Sequence, residues 1–289
     1  MLPTRGPLTP ARRCPDTLPG VAGIRKARRL WLRPVNALVV LPTYNEAENI
    51  VEVLERIRAA SSELEVLVVD DGSPDGTADL AEKWGIENDG VQILRRTEKA
   101  GLGSAYRAGF AEGLAQGYDI LIEMDSDLQH DPAMLPALVH AVEDGAHLAI
   151  GSRYVPGGEL PGMSFFRRFL SQAGNLYASI VLGMHVRDAT AGFRAYAADA
   201  LRAIDLPAIK ADGYGFQIEM AYSVYRNRGR IVEVPITFAE RERGTSKMSG
   251  RIIYEALWLV TWWGLRDRIY GPIARRVARL RRSAPVTPT

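Results

Sequence analysis

Short apolar runs that alternate with helical stretches, each run closed by acids or turn residues, constrain this chain more than any other feature. "ALVVLPTY", "LEVLVVDDGSPDG", "VQILRR", "YDILIEMDSD" and "AHLAIGSRY" are five such runs. They are short and β-branched, like strands buried inside a parallel sheet. After the first, Asn45 can cap a helix whose apolar face carries Ala47, Ile50, Leu54 and Ile57. Thr77 opens a second helix ending near Trp84, and "GSAYRAGFAEGLAQG" and "PAMLPALVHAVEDG" supply two more. Strands alternating with helices imply right-handed crossovers, hence an α/β fold with a single, mostly parallel central sheet flanked by helices. After Tyr154 the pattern loosens into a long helix ("SFFRRFLSQAGNLYASIVLGM"), a loop and strand ("RDATAGFRAY"), another helix ("GYGFQIEMAYSVYRNRG") and a strand running into a basic loop ("RIVEVPITFAERERGTSK"). No internal repeat is visible, so the last third is expected to decorate the sheet rather than form a second domain.

The 289 residues suffice for one large α/β domain, and a net charge of +2 gives no push toward nucleic acid. Charge is uneven: residues 1–35 are rich in Arg and Pro, and the end reads "RDRIYGPIARRVARLRR". The expected division is a disordered tail (1–35), a catalytic domain (36–250) and a Trp-rich, then Arg-rich amphipathic segment (251–289). The single cysteine, Cys14, excludes an internal disulfide and a Cys-based zinc site, which fits a cytoplasmic setting. The tail has no apolar core of a secretory signal, and "ALWLVTWWGL" is about half the ~20 residues needed to span a bilayer.

In an open parallel sheet, ligands bind outside the carboxyl ends of the strands. Four of those ends carry "PTYNE", "DDGSPDG", "DSDLQ" and "GSRY". In "IEMDSDLQHDP", Asp125 and Asp127 are two apart and would share a face of an extended chain. Two such charges repel unless something positive lies between them. The residues alone allow a solvated turn, with Asp127 and Asp131 capping local backbone. They also allow a divalent cation with hard oxygen ligands and a phosphorylated substrate. Gly101, Gly103 and Gly109 do not make a dinucleotide fingerprint, which belongs directly after the first strand. The histidines form no ligand-spaced cluster, and His130, though near the acids, is assigned no chemistry.

"LPTYNEAENI", "VVDDGSPDGTADLA", "GLGSAYRAGF", "MDSDLQHDP", "GSRY", "AGFRAY" and "ERERGTSKMS" together resemble the dolichol-phosphate mannosyltransferases, or polyprenol monophosphomannose synthases. These are family 2 glycosyltransferases of GT-A fold, with a Rossmann-like nucleotide-sugar half and an acceptor half. The resemblance runs from about Asn36 to Ser249; Ser126 stands where Ala is usual, and Gly72 where Asn is common. It implies an inverting, metal-dependent enzyme that moves mannose from GDP-mannose to a polyprenyl phosphate. By that resemblance Pro42, Tyr44 and Glu46 line the nucleotide pocket, with Val69, Asp70 and Asp71 beside base and ribose. Asp125, Asp127 and Gln129 hold Mg²⁺ or Mn²⁺, with Ser126 and Arg194 among the substrate-binding residues. Arg241 and Lys247 close over the diphosphate, and Arg153, Arg167 and Ser171 receive the acceptor phosphate. Asp127, Arg153, Arg241 and Lys247 form the catalytic set. The alternatives are a UDP-glucose-dependent glucosyltransferase and a non-catalytic nucleotide-sugar-binding subunit.

Physical chemistry supports these roles. Cleaving a sugar–diphosphate bond leaves negative charge that a metal and two cations would stabilise, and the planar fork of Arg suits a phosphate. The plain alternative for Arg153 is an ion pair, and Arg168 could replace Arg167. A phosphate acceptor needs no general base, so Asp188 is expected to be structural, orienting Arg194 or the "ATAGF" loop. Trp258, Trp262 and Trp263 suit a membrane boundary and Arg275, Arg276, Arg279, Arg281 and Arg282 suit anionic lipid. This reads as peripheral association with the cytoplasmic face of a membrane. The alternatives are a membrane-protein partner and a helix packed on the protein's own core.

Overall fold

In the computed structural model the described residues are 35–239 and 254–269, so Arg241, Lys247 and the basic ends of the chain lie outside them. The centre is β1 (Ala37–Thr43), buried at every position. It pairs in parallel with β2 (Glu65–Asp70) on one side and β4 (Ile120–Glu123) on the other, and β3 (Val91–Arg95) adds to β2. With β5 (Leu148–Ser152), β6 (Arg194–Ala197) and β7 (Ile231–Pro235), these make a seven-stranded sheet of order β3-β2-β1-β4-β6-β5-β7. Six of the strands run one way; β6 runs antiparallel to both of its neighbours, β4 and β5. The last third therefore does more than decorate: it inserts a strand into the sheet and adds another at its edge.

Helices α1 (Ile50–Ala60), α2 (Thr77–Asn88), α3 (Leu102–Gln116) and α4 (Leu135–Glu143) follow the first strands. α5 (Phe165–Leu182), the short α6 (Ala198–Arg202) and α7 (Gly213–Arg226) belong to the second half. α3 lies close on the sheet because its glycines leave room. A Cβ on Gly109 would come 2.3 Å from Val40 Cγ1, and one on Gly113 2.6 Å from Leu121 Cδ2.

Three boundaries differ from expectation. α1 begins at Ile50, and Asn45 instead takes a left-handed turn at φ +59°. The cause is tertiary: Glu46 N donates to Thr77 Oγ1 (3.0 Å) and Ala47 N to Asp75 Oδ2 (3.1 Å), tying residues 45–47 to the loop after β2. α2 continues past Trp84 to Asn88. β4 stops at Glu123, so Asp125 and Asp127 stand on a loop rather than on one face of a strand.

Residues 254–269 form α8, which runs beside α5. Tyr177 and Thr261 share a hydroxyl hydrogen bond of 2.7 Å, and a Cβ on Gly264 would come 2.5 Å from Val181 Cγ1. Ala256, Val260 and Trp263 are buried in the core, and Tyr222 donates to Asp267 at 2.5 Å. Trp258 and Trp262 stay exposed and stack on each other at 6.1 Å. The three tryptophans therefore divide: two face outward and Trp263 packs inward.

Candidate functional site

The loops leaving β1, β2 and β4 meet at the carboxyl edge of the sheet. Asp70, buried at the end of β2, accepts from Thr43 Oγ1 (2.8 Å), Ser73 Oγ (2.6 Å) and Ser73 N (2.8 Å). Its carboxylate thus joins the first two loops. Asp71 next to it accepts from Arg96 (2.8 Å) and Ala100 N (3.3 Å). Burial raises the Asp71 pKa, and the Arg96 charge opposes that rise. Tyr44 lines the same edge with the Lys99 ammonium 3.8 Å from its ring centroid, a cation–π contact that the motifs did not signal. Ser126, one of the two departures from the family pattern, donates to Pro42 O at 3.0 Å within the protein, so its extra hydroxyl is satisfied without reaching the crevice.

Asp125 and Asp127 are both partly buried on the loop after β4. Tyr106 of α3 donates to Asp125 Oδ1 at 2.7 Å, and Gln129 N donates to Asp127 Oδ1 at 3.1 Å. The Tyr106 pKa is pushed well up, first by burial and then by Asp125, Glu123 and Asp127, which registers the acidity of this corner. Beneath the pair, Glu123 is wholly buried, and burial pushes its pKa to about 8 against the opposing Arg194 charge. Gln129 is laced to residue 239: its Nε2 donates to Ala239 O (3.2 Å) and Ala239 N to Gln129 O (3.1 Å).

Among the described residues no group of three or more His, Cys, Asp or Glu is placed to hold a metal ion. Two anchored carboxylates nevertheless fit a hard divalent cation of the Mg²⁺ type. Such ions take one or two protein carboxylates and complete their shell with substrate phosphate and water.

On the far side of the sheet's carboxyl edge, Arg153 leaves β5 and is nine-tenths buried. Its Nε and Nη2 donate to the two Asp188 oxygens at 2.7 Å each, its backbone N adds 3.0 Å, and Nη2 also reaches Thr190 Oγ1 at 3.1 Å. Burial opposes the guanidinium charge, yet Asp188 outweighs it and raises the Arg153 pKa. Asp188 thus orients Arg153 rather than Arg194, and it also holds the "ATAGF" loop, accepting from Thr190 Oγ1 and, on its backbone O, from Ala191 N at 3.4 Å each. The network continues into α5: Asn175 donates to Thr190 Oγ1 (3.2 Å) and to Ser171 O (3.0 Å), while Tyr154 donates to Ser171 Oγ (2.7 Å). Arg153 and Ser171 are in this way brought together. Arg167, exposed and one turn before Ser171, borders with it a cavity of about 90 Å³ otherwise walled largely by Leu170, Ile218, Leu257 and Val260.

Arg194 is not among these groups. It is fully buried and donates to Ala191 O, Gln217 O and Ala189 O at 2.7 Å each. Those bonds fold the "ATAGF" loop, and no surface remains for substrate. His130 is also buried, between Phe193 (5.0 Å) and Phe238 (5.1 Å), and burial lowers its pKa to about 4, leaving it neutral. Sequence reasoning missed Tyr106, Lys99, Asn175 and Thr190. Only Tyr106 left a usable trace, since a tyrosine within a helix pattern as apolar as α3 must find a partner for its hydroxyl.

A model described as glycosyl transferase family 2 matches residues 38–205. An undecaprenyl-phosphate mannosyltransferase of Micrococcus luteus is 54% identical over 241 residues, covering 83% of this chain and 99% of that protein. A polyprenol monophosphomannose synthase of Mycolicibacterium smegmatis is 49% identical over 240 residues, covering 82% and 91%. A dolichol-phosphate mannosyltransferase of Pyrococcus furiosus is 39% identical, covering 80% of this chain and 65% of that one. Among solved structures, glucosyl-3-phosphoglycerate synthase of Mycobacterium tuberculosis, in complex with Mn²⁺, UDP and glucosyl-3-phosphoglycerate, matches with a TM-score of 0.60. It is 22% identical, with 91% of this chain and 88% of that chain covered, a likeness of fold alone. With the family match spanning more than half of its length, and relatives about half identical along nearly all of theirs, the chain belongs to glycosyl transferase family 2.

Proposed function

We propose that this chain is a metal-dependent, inverting transferase. It moves mannose from GDP-mannose to a polyprenyl phosphate and releases GDP and a β-linked mannosyl phosphate lipid. The observation that carries this reading is the cavity beside Arg167 and Ser171, which joins a rim bearing a guanidinium and a hydroxyl to apolar walls. The names of the Micrococcus and Mycolicibacterium relatives support the same reaction class.

On this reading Pro42, Tyr44, Glu46, Val69, Asp70 and Asp71 form the nucleotide pocket. Mg²⁺ or Mn²⁺ held by Asp125, Asp127 and Gln129 supplies, when bound, charge neutralisation on the leaving diphosphate. Tyr106 fixes the Asp125 carboxylate for that task through its 2.7 Å hydrogen bond. Arg241 and Lys247, outside the described residues, are the cations assigned to the diphosphate. Arg153, Arg167 and Ser171 hold the acceptor in line. A phosphate monoester, with a second pKa near ~6, is already largely dianionic at neutral pH and needs no general base. Asp188 is committed to Arg153 and serves position instead.

Access to a lipid acceptor comes from the paired helices α5 and α8. Phe165, Phe166, Phe169, Trp258, Trp262 and Ile269 are exposed on them, an apolar face suited to the headgroup boundary. On this reading the association is peripheral, with the basic C-terminal segment reinforcing it on anionic lipid; no helix among the described residues is long and apolar enough to cross a membrane.

Incubation with labelled GDP-mannose, Mg²⁺ and a short polyprenyl phosphate tests the reading, and a labelled, mild-acid-labile lipid is expected. Turnover of UDP-glucose alone would replace the donor, and none with either would leave a nucleotide-sugar-binding subunit.

A further inference from the structure

Gly174 stands in the middle of α5, and no local requirement explains a glycine there. Glycine in a helix interior is less stable than alanine, so such glycines usually have a packing or backbone reason. Others in this protein show one. A Cβ on Gly103 or Gly113 would strike Phe216 or Leu121, and one on Gly264 would strike Val181, while Gly117 and Gly183, just past the ends of α3 and α5, hold positive φ. Gly174 has neither reason among the described residues: its φ is not positive, and beyond its own helical backbone none of their atoms lies within 4 Å of where a Cβ would stand.

A cavity adjoins this position. Gly174 lines it together with Arg167, Ser171, Tyr214, Ile218 and Val260. A cavity of about 150 Å³ accepts a six-carbon benzene ring, so one of about 90 Å³ holds roughly four carbons, those of a five-carbon isoprenyl unit beyond its first, and not a long chain.

We propose that this cavity receives the isoprenyl unit adjoining the acceptor phosphate, and that Gly174 sets how bulky that unit can be. The proposal rests on the acceptor assignment made above. Arg167 and Ser171 lie one helical turn apart on the border of the same cavity, so an anionic head held there places its first carbons against Gly174. The rest of a lipid chain would continue across the exposed face of α5 and α8. α8 contributes Leu257 and Val260 to the wall, which makes the C-terminal helix part of the acceptor site.

The test is direct binding of farnesyl phosphate (branched) and dodecyl phosphate (linear) to the full chain, by titration calorimetry, without donor. Wild type is expected to prefer farnesyl phosphate. Gly174→Leu fills the space and should lose about tenfold or more on farnesyl phosphate relative to dodecyl phosphate, the scale of a steric mismatch in an apolar pocket. Gly174→Ala should fall between them and melt higher than wild type, since alanine favours the helix. A melting curve for Gly174→Leu confirms that it folds. A farnesyl preference retained by Gly174→Leu overturns the proposal, and so does equal loss on both ligands. Because the titration needs no donor, wild-type binding without mannose transfer would overturn the donor reading alone. Failure of wild type to bind either lipid phosphate would overturn both.

Discussion

Arg153 shows what one residue's setting does to its chemistry. The sequence marked it as a cation for phosphate, and the structure places it against Asp188 with two 2.7 Å contacts out of water. Removing one member of a buried pair leaves the other charge uncompensated, at a cost of about 3–5 kcal/mol. Asp188→Ala should therefore lower stability by that order in urea unfolding, whereas Arg167→Ala, on an exposed side chain, should change it by less than ~0.5 kcal/mol. Arg194 was misread for a physical reason: Arg in a loop motif looks the same whether it faces solvent or folds the loop from beneath. Only the burial and three carbonyl acceptors decide. Glu219 gives a pH test. Burial raises its folded pKa above the ordinary 4.5, against opposing bonds from Ala211 and Lys210 and the charges of Arg266 and Arg107. A carboxyl raised in this way favours the fold below its unfolded pKa and loses that contribution as pH rises through the folded value. Glu219→Gln should accordingly melt higher than wild type at pH 7, with the gain vanishing below about pH 4.5.

At the scale of elements, α8 is a helix with two different faces. Period 3.6 puts Trp258, Trp262 and Leu265 on one face and Trp263 well off it. That division was present in the sequence; which face meets the protein depended on α5, through Tyr177, Val181 and Gly264. Trp263→Ala should cost about 3–5 kcal/mol, as truncating a buried Trp does. Trp258→Ala and Trp262→Ala together should leave the melting temperature nearly unchanged and weaken cosedimentation with anionic vesicles several-fold. Loss of stability with unaltered vesicle binding would reverse the two roles. The start of α1 was illegible for a similar reason. Asn45 and Asn49 are equally good cap residues by type, and the choice was made by Thr77 and Asp75, some thirty positions on in the chain.

For the whole molecule, the parallel run from β1 to β5 was legible because each strand is a β-branched run closed by turn residues. The insertion of β6 was not. Four residues, "RAYA", with a charged first member, carry no period, and pairing with β4 and β5 is fixed by register alone. The carboxylate loop was legible as an acidic corner, though its anchor on Tyr106 required α3 to be placed on the sheet. If β6 joins the two halves, a chain ending before Asp188 should lack a cooperative unfolding transition by circular dichroism. The full chain should show one.

The place of β6 also gives the fold a timetable. A ribosome extrudes β1 to β4 in an order that can pair at once, leaving β4 as an edge. β5 emerges next, before the strand that must stand between it and β4. At ~5–20 residues per second, the nascent protein spends seconds with an unpaired edge and a buried-type strand in reach of each other, parallel and complementary in character. Each round of synthesis thus includes a waiting period in which the nearest available partner is the wrong one. Any helper acting on the nascent chain has its use there, between the emergence of Ser152 and that of Arg194.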